Sequence, residues 1–299
     1  MLLRSDVATA VEPGTAAGFA RRFRGRPLRM LPDSVPVLDY AVLGILAFIT
    51  VAAVAAPWLA PYDPVQPVSV MHLPVGSPGH LLGTDGIGRD LLSRTLLGLR
   101  TSWLVALVVV AVGLLLGGAV GLLAGAYGGR VDAVLMRVTD LFLALPATLV
   151  AIAVAAALGS GLTNTFLAIS LVWWPFYARI IRGEVRSLAA RPHVEAARMA
   201  GAGRWRIMFR HLLPGVTQPA IVTASLDVGN VVIVLAGLSF LGLGESAPSP
   251  ELGADAARGL SELLAHWWIP VIPGVAVMLL SLAANLGGDS VRNMLTRRS

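Results

Sequence analysis

The sequence has no cysteine and no lysine. Without cysteine, neither disulfides nor thiolate metal sites can contribute, and no redox compartment follows. Charge is scarce as well: 13% of the 299 residues are charged and 56% are hydrophobic, whereas a soluble globular domain carries about 25% charged residues. The signatures of energy-converting chemistry are missing too. There is no Gly-x-x-x-x-Gly-Lys-Ser/Thr loop and no His-Glu-x-x-His, and the histidines, His72, His80, His193, His211 and His266, stand singly along the chain. What remains is the composition of a membrane protein.

A membrane span takes about 20 mostly apolar residues, and six stretches qualify: 37 to 57, 102 to 127, 133 to 158, 164 to 182, 216 to 239 and 269 to 288. The first begins too late and runs too long for a cleavable signal, and reads as an uncleaved anchor behind an Arg-rich leader, residues 1 to 36. That leader interleaves Phe23, Leu28 and Leu31 with arginines and is equally suited to an anionic membrane surface or to a solvated tail. With the N-terminus in the cytosol, only Arg89, Arg94, Arg100 and Arg258 fall on the outer side, so the positive-inside rule places both termini and residues 184 to 214 in the cytosol. The pI of about 10.8 does not point to nucleic acid, because the arginines cluster beside the spans.

Local signals refine this plan. Gly113, Gly117, Gly121, Gly125 and Gly129 recur every four residues in the second span and present a smooth face for close helix packing, within this chain or against a partner. Pro146 removes a hydrogen bond inside the third span and predicts a kink. Between the first two spans, a proline-rich stretch leads into Leu82-Gly83-Thr84-Asp85-Gly86-Ile87-Gly88-Arg89-Asp90. It lacks the Lys-Ser/Thr pair of a phosphate loop, and reads as a turn at Gly86 and Gly88 followed by a short amphipathic helix on the outer interface. Residues 240 to 268 are too broken for a span and predict a partly helical outer element, with Trp267 and Trp268 at the interface.

The most informative segment runs from Glu195 to Pro214. Pro192 can open a helix, Glu195, Ala196 and Ala197 keep its first turn slim and acidic, and Gly201 can end it in a left-handed turn. A polar-apolar alternation from Arg204 to His211 follows, stopped by Pro214, with His211 as a helix-end cap. This pattern of Glu-Ala-Ala, a glycine four residues on, and His-Leu-Leu-Pro resembles the EAA loop of ABC importer permeases. The segment 83 to 90 and the ending Asn285-Leu286-Gly287-Gly288-Asp289-Ser290-Val291-Arg292-Asn293 are similar to those of the dipeptide, oligopeptide and nickel branch, although Val291 and Asn293 replace the usual Leu and Asp and put a helix-ending ion pair at 293 in doubt.

The resemblance implies an all-α membrane protein of six transmembrane helices in the type I importer architecture. It divides the chain into the leader, the first span, an extracytoplasmic segment 58 to 101 with an interfacial helix, a core domain 102 to 292 and a tail 293 to 299. The coupling helix would be carried by Glu195, Ala196, Ala197, Arg198, Gly201 and Arg204, with Arg198 and Arg204 facing acidic groups of an ATPase. It further implies a transport subunit rather than an enzyme, with no cofactor of its own. ATP and magnesium would sit on two ATPase subunits, beside a homologous second permease and an extracytoplasmic binding protein. Near the cytosolic start of the third span, Asp132, Arg137 and Asp140 read as structural. Asp227 and Asn230, on one helix face with Gln218 nearby, either border a translocation path or hold the bundle by an interhelical hydrogen bond. Two other classes remain at this point: an ion-coupled secondary transporter, which needs membrane-buried acids such as Asp227, and a membrane scaffold.

Overall fold

The computed structural model describes residues 36–297, and among them there is no strand, only the isolated bridges Ser77 to His80 and Thr84 to Asp90. Residues 1–35 of the leader lie outside the described residues. Helix α1, Pro36–Leu59, is the expected first span. Helix α2, Leu91–Tyr127, is a single 37-residue helix, about 55 Å long at 1.5 Å per residue. The separate interfacial helix expected before residue 102 is therefore its first turns. Asp90 sets the start: its carboxylate accepts from the Ser93 N–H at 2.8 Å and from the Ser93 hydroxyl at 2.7 Å. No proline interrupts the helix until it ends before Gly128.

Pro146 does more than kink the third expected span. Helices α3, Gly129–Leu143, and α4, Ala147–Leu158, meet at 80°, because proline lacks the N–H that would carry the helix across and excludes its predecessor from helical geometry. Helix α5, Leu162–Ala189, follows. Among the described residues, four helices are long and apolar enough to cross a membrane, or five if the bent pair is one span. The expected fourth span is helical but falls short on this measure, since α5 carries Asn164, Arg179, Arg182, Glu184 and Arg186.

Helix α6, Pro192–Met199, precedes the short helix α7, Arg204–Ile207. Pro214 does not stop the chain. A π-turn over Met208–Leu212, with the Leu213 N–H donating to the Met208 carbonyl, passes directly into helix α8, Leu213–Phe240. The wider turn accommodates a residue without an N–H, and His211 consequently lies inside a continuing helical run rather than capping an end. Helix α9, Leu252–Arg258, and α10, Trp268–Arg297, complete the fold.

The glycine stripe packs within the chain. A methyl group at Gly117 would lie 2.1 Å from the Trp174 carbonyl oxygen, one at Gly121 2.5 Å from that of Ala178, and one at Gly125 2.6 Å from Val185. Only hydrogen at these positions lets α2 and α5 touch backbone to backbone. Gly129 does not join them; it stands beyond the helix end with φ 51° and open space around it.

Both ends of the bundle are tied by polar contacts. At one end, the Asn293 amide donates to Asp39 at 3.2 Å, the Gln218 amide to the Leu295 carbonyl at 3.0 Å, and Tyr127 meets Trp205 edge-on. The start of α1, the end of α10 and the Glu195 segment thus share one end, and the amide at 293 takes an Asp39 contact where an ion pair was in doubt. At the other, the buried Arg94 donates to the carbonyls of Pro64 at 2.7 Å and Pro248 at 3.1 Å and pairs with Asp255 at 2.5 Å, which also takes Arg258 at 2.6 Å. Three of the four arginines assigned to the outer side are held this way, since Arg89 pairs with Asp85 at 2.6 Å. The turns here use Gly83 and Gly88, at φ 79° and 87°, rather than Gly86.

Candidate functional site

The Glu195 segment is a helix anchored on one face and bare on the other. Val194 is fully buried in a cluster with Val185, Leu188, Ile207, Met208 and Leu212, so a single valine seats the helix on the end of α5 and on α7 with the π-turn that leads into α8. Glu195, Ala196, Arg198 and Met199 are exposed and Ala197 is half-buried. Pro192 occupies the first turn, where its missing N–H leaves no gap. The far end closes in a Schellman turn: the Ala202 N–H donates to the Ala197 carbonyl and the Gly201 N–H to the Arg198 carbonyl, both at 3.0 Å. Gly201 takes φ 80° with nothing within 4 Å of where a side chain would begin. Backbone geometry alone therefore favours glycine there over any residue but asparagine.

Arg198 and Arg204 come together at the rim of a hollow of about 370 Å³ bordered by Ala126 and Tyr127, with the Arg204 guanidinium 5.9 Å above the Tyr127 ring. Sequence reasoning missed the aromatic part of this surface. Trp205 and Phe209 stack at 5.6 Å and 9°, both more than half exposed, and Met199 is 86% exposed. Their i, i+4 spacing was the available signal.

Asp227 and Asn230 lie about midway along α8, some distance from that surface. Asp227 is buried, and its Oδ2 accepts from the Trp173 indole N–H and, at 2.9 Å, from the Tyr177 hydroxyl, both on α5. Asn230 is exposed, its amide 3.4 Å from Asp227 Oδ1. Tyr177 is fully buried and lies 3.2 Å from where a Gly113 side chain would start. The hydrogen bond thus joins α5 to α8 through a notch in α2. Among the other charges, Asp132 takes Arg182 through two nitrogens and Arg186 at 2.7 Å, Asp140 takes Arg179 at 2.5 Å, and Arg137 is exposed.

Comparison with known proteins agrees with this architecture. The family described as binding-protein-dependent transport system inner membrane component matches residues 117–299. The chain is 39% identical to the probable D,D-dipeptide transport system permease protein DdpC of Escherichia coli strain K12, over 98% of this chain and 97% of that one. It is 42% identical to the di/tripeptide transport system permease protein DppC of Pseudomonas aeruginosa strain UCBPP-PA14, over 85% and 86%, and 38% identical to the nickel transport system permease protein NikC of Escherichia coli strain K12, over 84% and 91%. In fold it is similar to a chain of the MetNI methionine ABC transporter in an inward-facing conformation, with a TM-score of 0.56 and 17% identity, covering 69% of this chain and 98% of that one. This chain belongs to the family of binding-protein-dependent transport system inner membrane components.

Proposed function

We propose that the chain is a permease subunit of an ATP-driven ABC importer of six-span, type I architecture, with its termini and the Glu195 helix in the cytosol. Its cargo would be peptides or similar small solutes, delivered by an extracytoplasmic binding protein. A homologous second permease and two ATPase subunits complete the assembly, and ATP and magnesium are handled on those ATPases rather than here. Glu195, Ala196, Ala197, Arg198, Gly201 and Arg204 form the face that the ATPase grips. The observation that carries this reading is the short helix fixed by Val194, closed at Gly201 and left bare on its slim face at one end of the bundle. A lever needs this combination: small side chains that enter a groove, and a rigid seat that passes motion to α5 and α8.

ATP-driven closure of the ATPases moves α6, and the π-turn hands that movement to α8 without a flexible joint. Alternation between inward and outward states requires that the ATPase engage the two with different affinity. For Asp227 the bonds to Trp173 and Tyr177 favour an interhelical latch over a wet path, with Asn230 on the exposed flank beside it. The test is uptake into vesicles by the assembled complex. Uptake that follows ATP and fails with Gly201→Glu, in a variant still inserted and folded, is the expected result. Uptake that follows a proton gradient instead would establish the secondary transporter.

A further inference from the structure

His72 lies far in sequence from Glu262 and His266, which are four residues apart, yet the ligand atoms of all three lie within 4.8 Å of one another. His72 belongs to the segment between α1 and α2; Glu262 ends the 3-10 turn Leu260–Glu262, and His266 follows it, before α10. Glu262 Oε2 is 3.5 Å from His72 Nε2 and 3.1 Å from His266 Nδ1. Two donors held at about 2.0 to 2.1 Å from one tetrahedral ion are separated by about 3.3 Å, so both observed separations are close to edges of such a tetrahedron.

Three further observations point to a ligand. His72 Nε2 is buried with no hydrogen-bond partner, a condition that protein structures rarely leave standing. His72 is the sole non-glycine with positive φ among the described residues, at 60°, and its N–H is fixed to the Asp85 carbonyl at 3.2 Å. The fold thus holds an unfavourable backbone conformation that delivers this imidazole. Gly86 leaves room beside the cluster, since a side chain there would begin 3.4 Å from His72 Nε2 and 3.5 Å from the Glu262 carboxylate.

We propose that His72, Glu262 and His266 form a site for a divalent cation of the zinc type. Two imidazoles and one carboxylate are the donor set of borderline divalent ions rather than of magnesium or calcium. Each side chain is about one-third exposed, which leaves the fourth position to water. The two rings stack at 3.9 Å and 10°, so seating the ion takes a turn of the His266 ring about its Cβ–Cγ bond, toward Glu262 and His72 Nε2. The ion would clamp the segment before α2 to the turn before α10, at the end of the bundle where Arg94 of α2 pairs with Asp255 of α9. The site is independent of the transport reading, and its failure would leave that reading intact.

The test uses the full chain in its membrane complex, purified with a tag free of histidine, stripped with EDTA and titrated with zinc chloride at pH 7.5. The expected result is one zinc per chain retained through desalting. Its affinity should fall at least about tenfold in Glu262→Gln and in His266→Ala. His72→Asn, a residue that tolerates positive φ, should lose the zinc with its thermal unfolding otherwise near wild type. If it fails to assemble, the two turn variants decide. Zinc that washes out of the wild type, or a stoichiometry and affinity unchanged in the variants, overturns the site and leaves a plain histidine–glutamate ion pair.

Discussion

The Tyr177 hydroxyl donates to the Asp227 carboxylate at 2.9 Å, and both side chains are buried where α2, α5 and α8 meet. The Trp173 indole donates to the same oxygen. Asp227→Ala strands both donors and should destabilise the protein by about 1 to 3 kcal/mol, whereas Asp227→Asn keeps an acceptor in place and should cost less. Thermal unfolding in detergent ranks them, and uptake should follow that ranking. If the fold is unchanged while transport is lost in both, Asp227 serves the translocation path instead.

Neighbouring glycines on α2 separate packing from propensity. Gly117→Ala pushes a methyl group into the Trp174 carbonyl and should cost about 1 to 3 kcal/mol or more. Gly118 has nothing within 4 Å, so Gly118→Ala should be neutral or slightly stabilising. Equal effects of the two on unfolding would mean that the α2–α5 contact is not the tight one described.

At the proposed lever, Gly201→Asn should retain most uptake because asparagine tolerates the left-handed conformation. Gly201→Val should lose most of it, with about 1 to 2 kcal/mol of local strain. Crosslinking of residue 196 to the ATPase would drop in parallel. Full uptake by the valine variant would remove Gly201 from the mechanism.

Glu251 supplies a pH dependence. It is fully buried, caps α9 by accepting from the Ala254 N–H at 2.8 Å and the Gly253 N–H at 3.1 Å, and takes the Ser102 hydroxyl at 2.8 Å. Burial raises its pKa above the ordinary carboxylate value, against the opposing pull of those donors. A raised folded-state pKa means the folded form holds this proton more tightly. The associated stability is complete below the unfolded value of about 4.3 and is lost as pH rises through the higher folded value. Unfolding measured across that window should show the fall in wild type and a flatter profile in Glu251→Gln. Identical profiles would mean that Glu251 does not titrate differently on folding.

Much of this was legible in the chain because it is written locally. Pro192 at a helix start, Gly201 at its end and small residues between them specify the α6 helix within a dozen positions, and the four-residue glycine spacing specifies a close helix contact. The continuity of Leu91–Tyr127 and of Arg204–Phe240 was not legible, because a cap at Asp90 and a π-turn at Met208–Leu212 depend on side-chain and backbone geometry that hydropathy does not record. Nor was the Pro146 break, where a kink and an 80° turn have the same sequence.

By itself the sequence determined the membrane environment, the helical class and the Glu195 face, since burial of apolar residues and turn chemistry act over short distances. Only the tertiary structure decided that Tyr177 reaches Asp227, that Arg94 joins Pro64 to Asp255, and that His72 meets Glu262 and His266. Those partners are separated by tens to hundreds of residues, and what brings them together is the packing of whole helices, which no local pattern encodes.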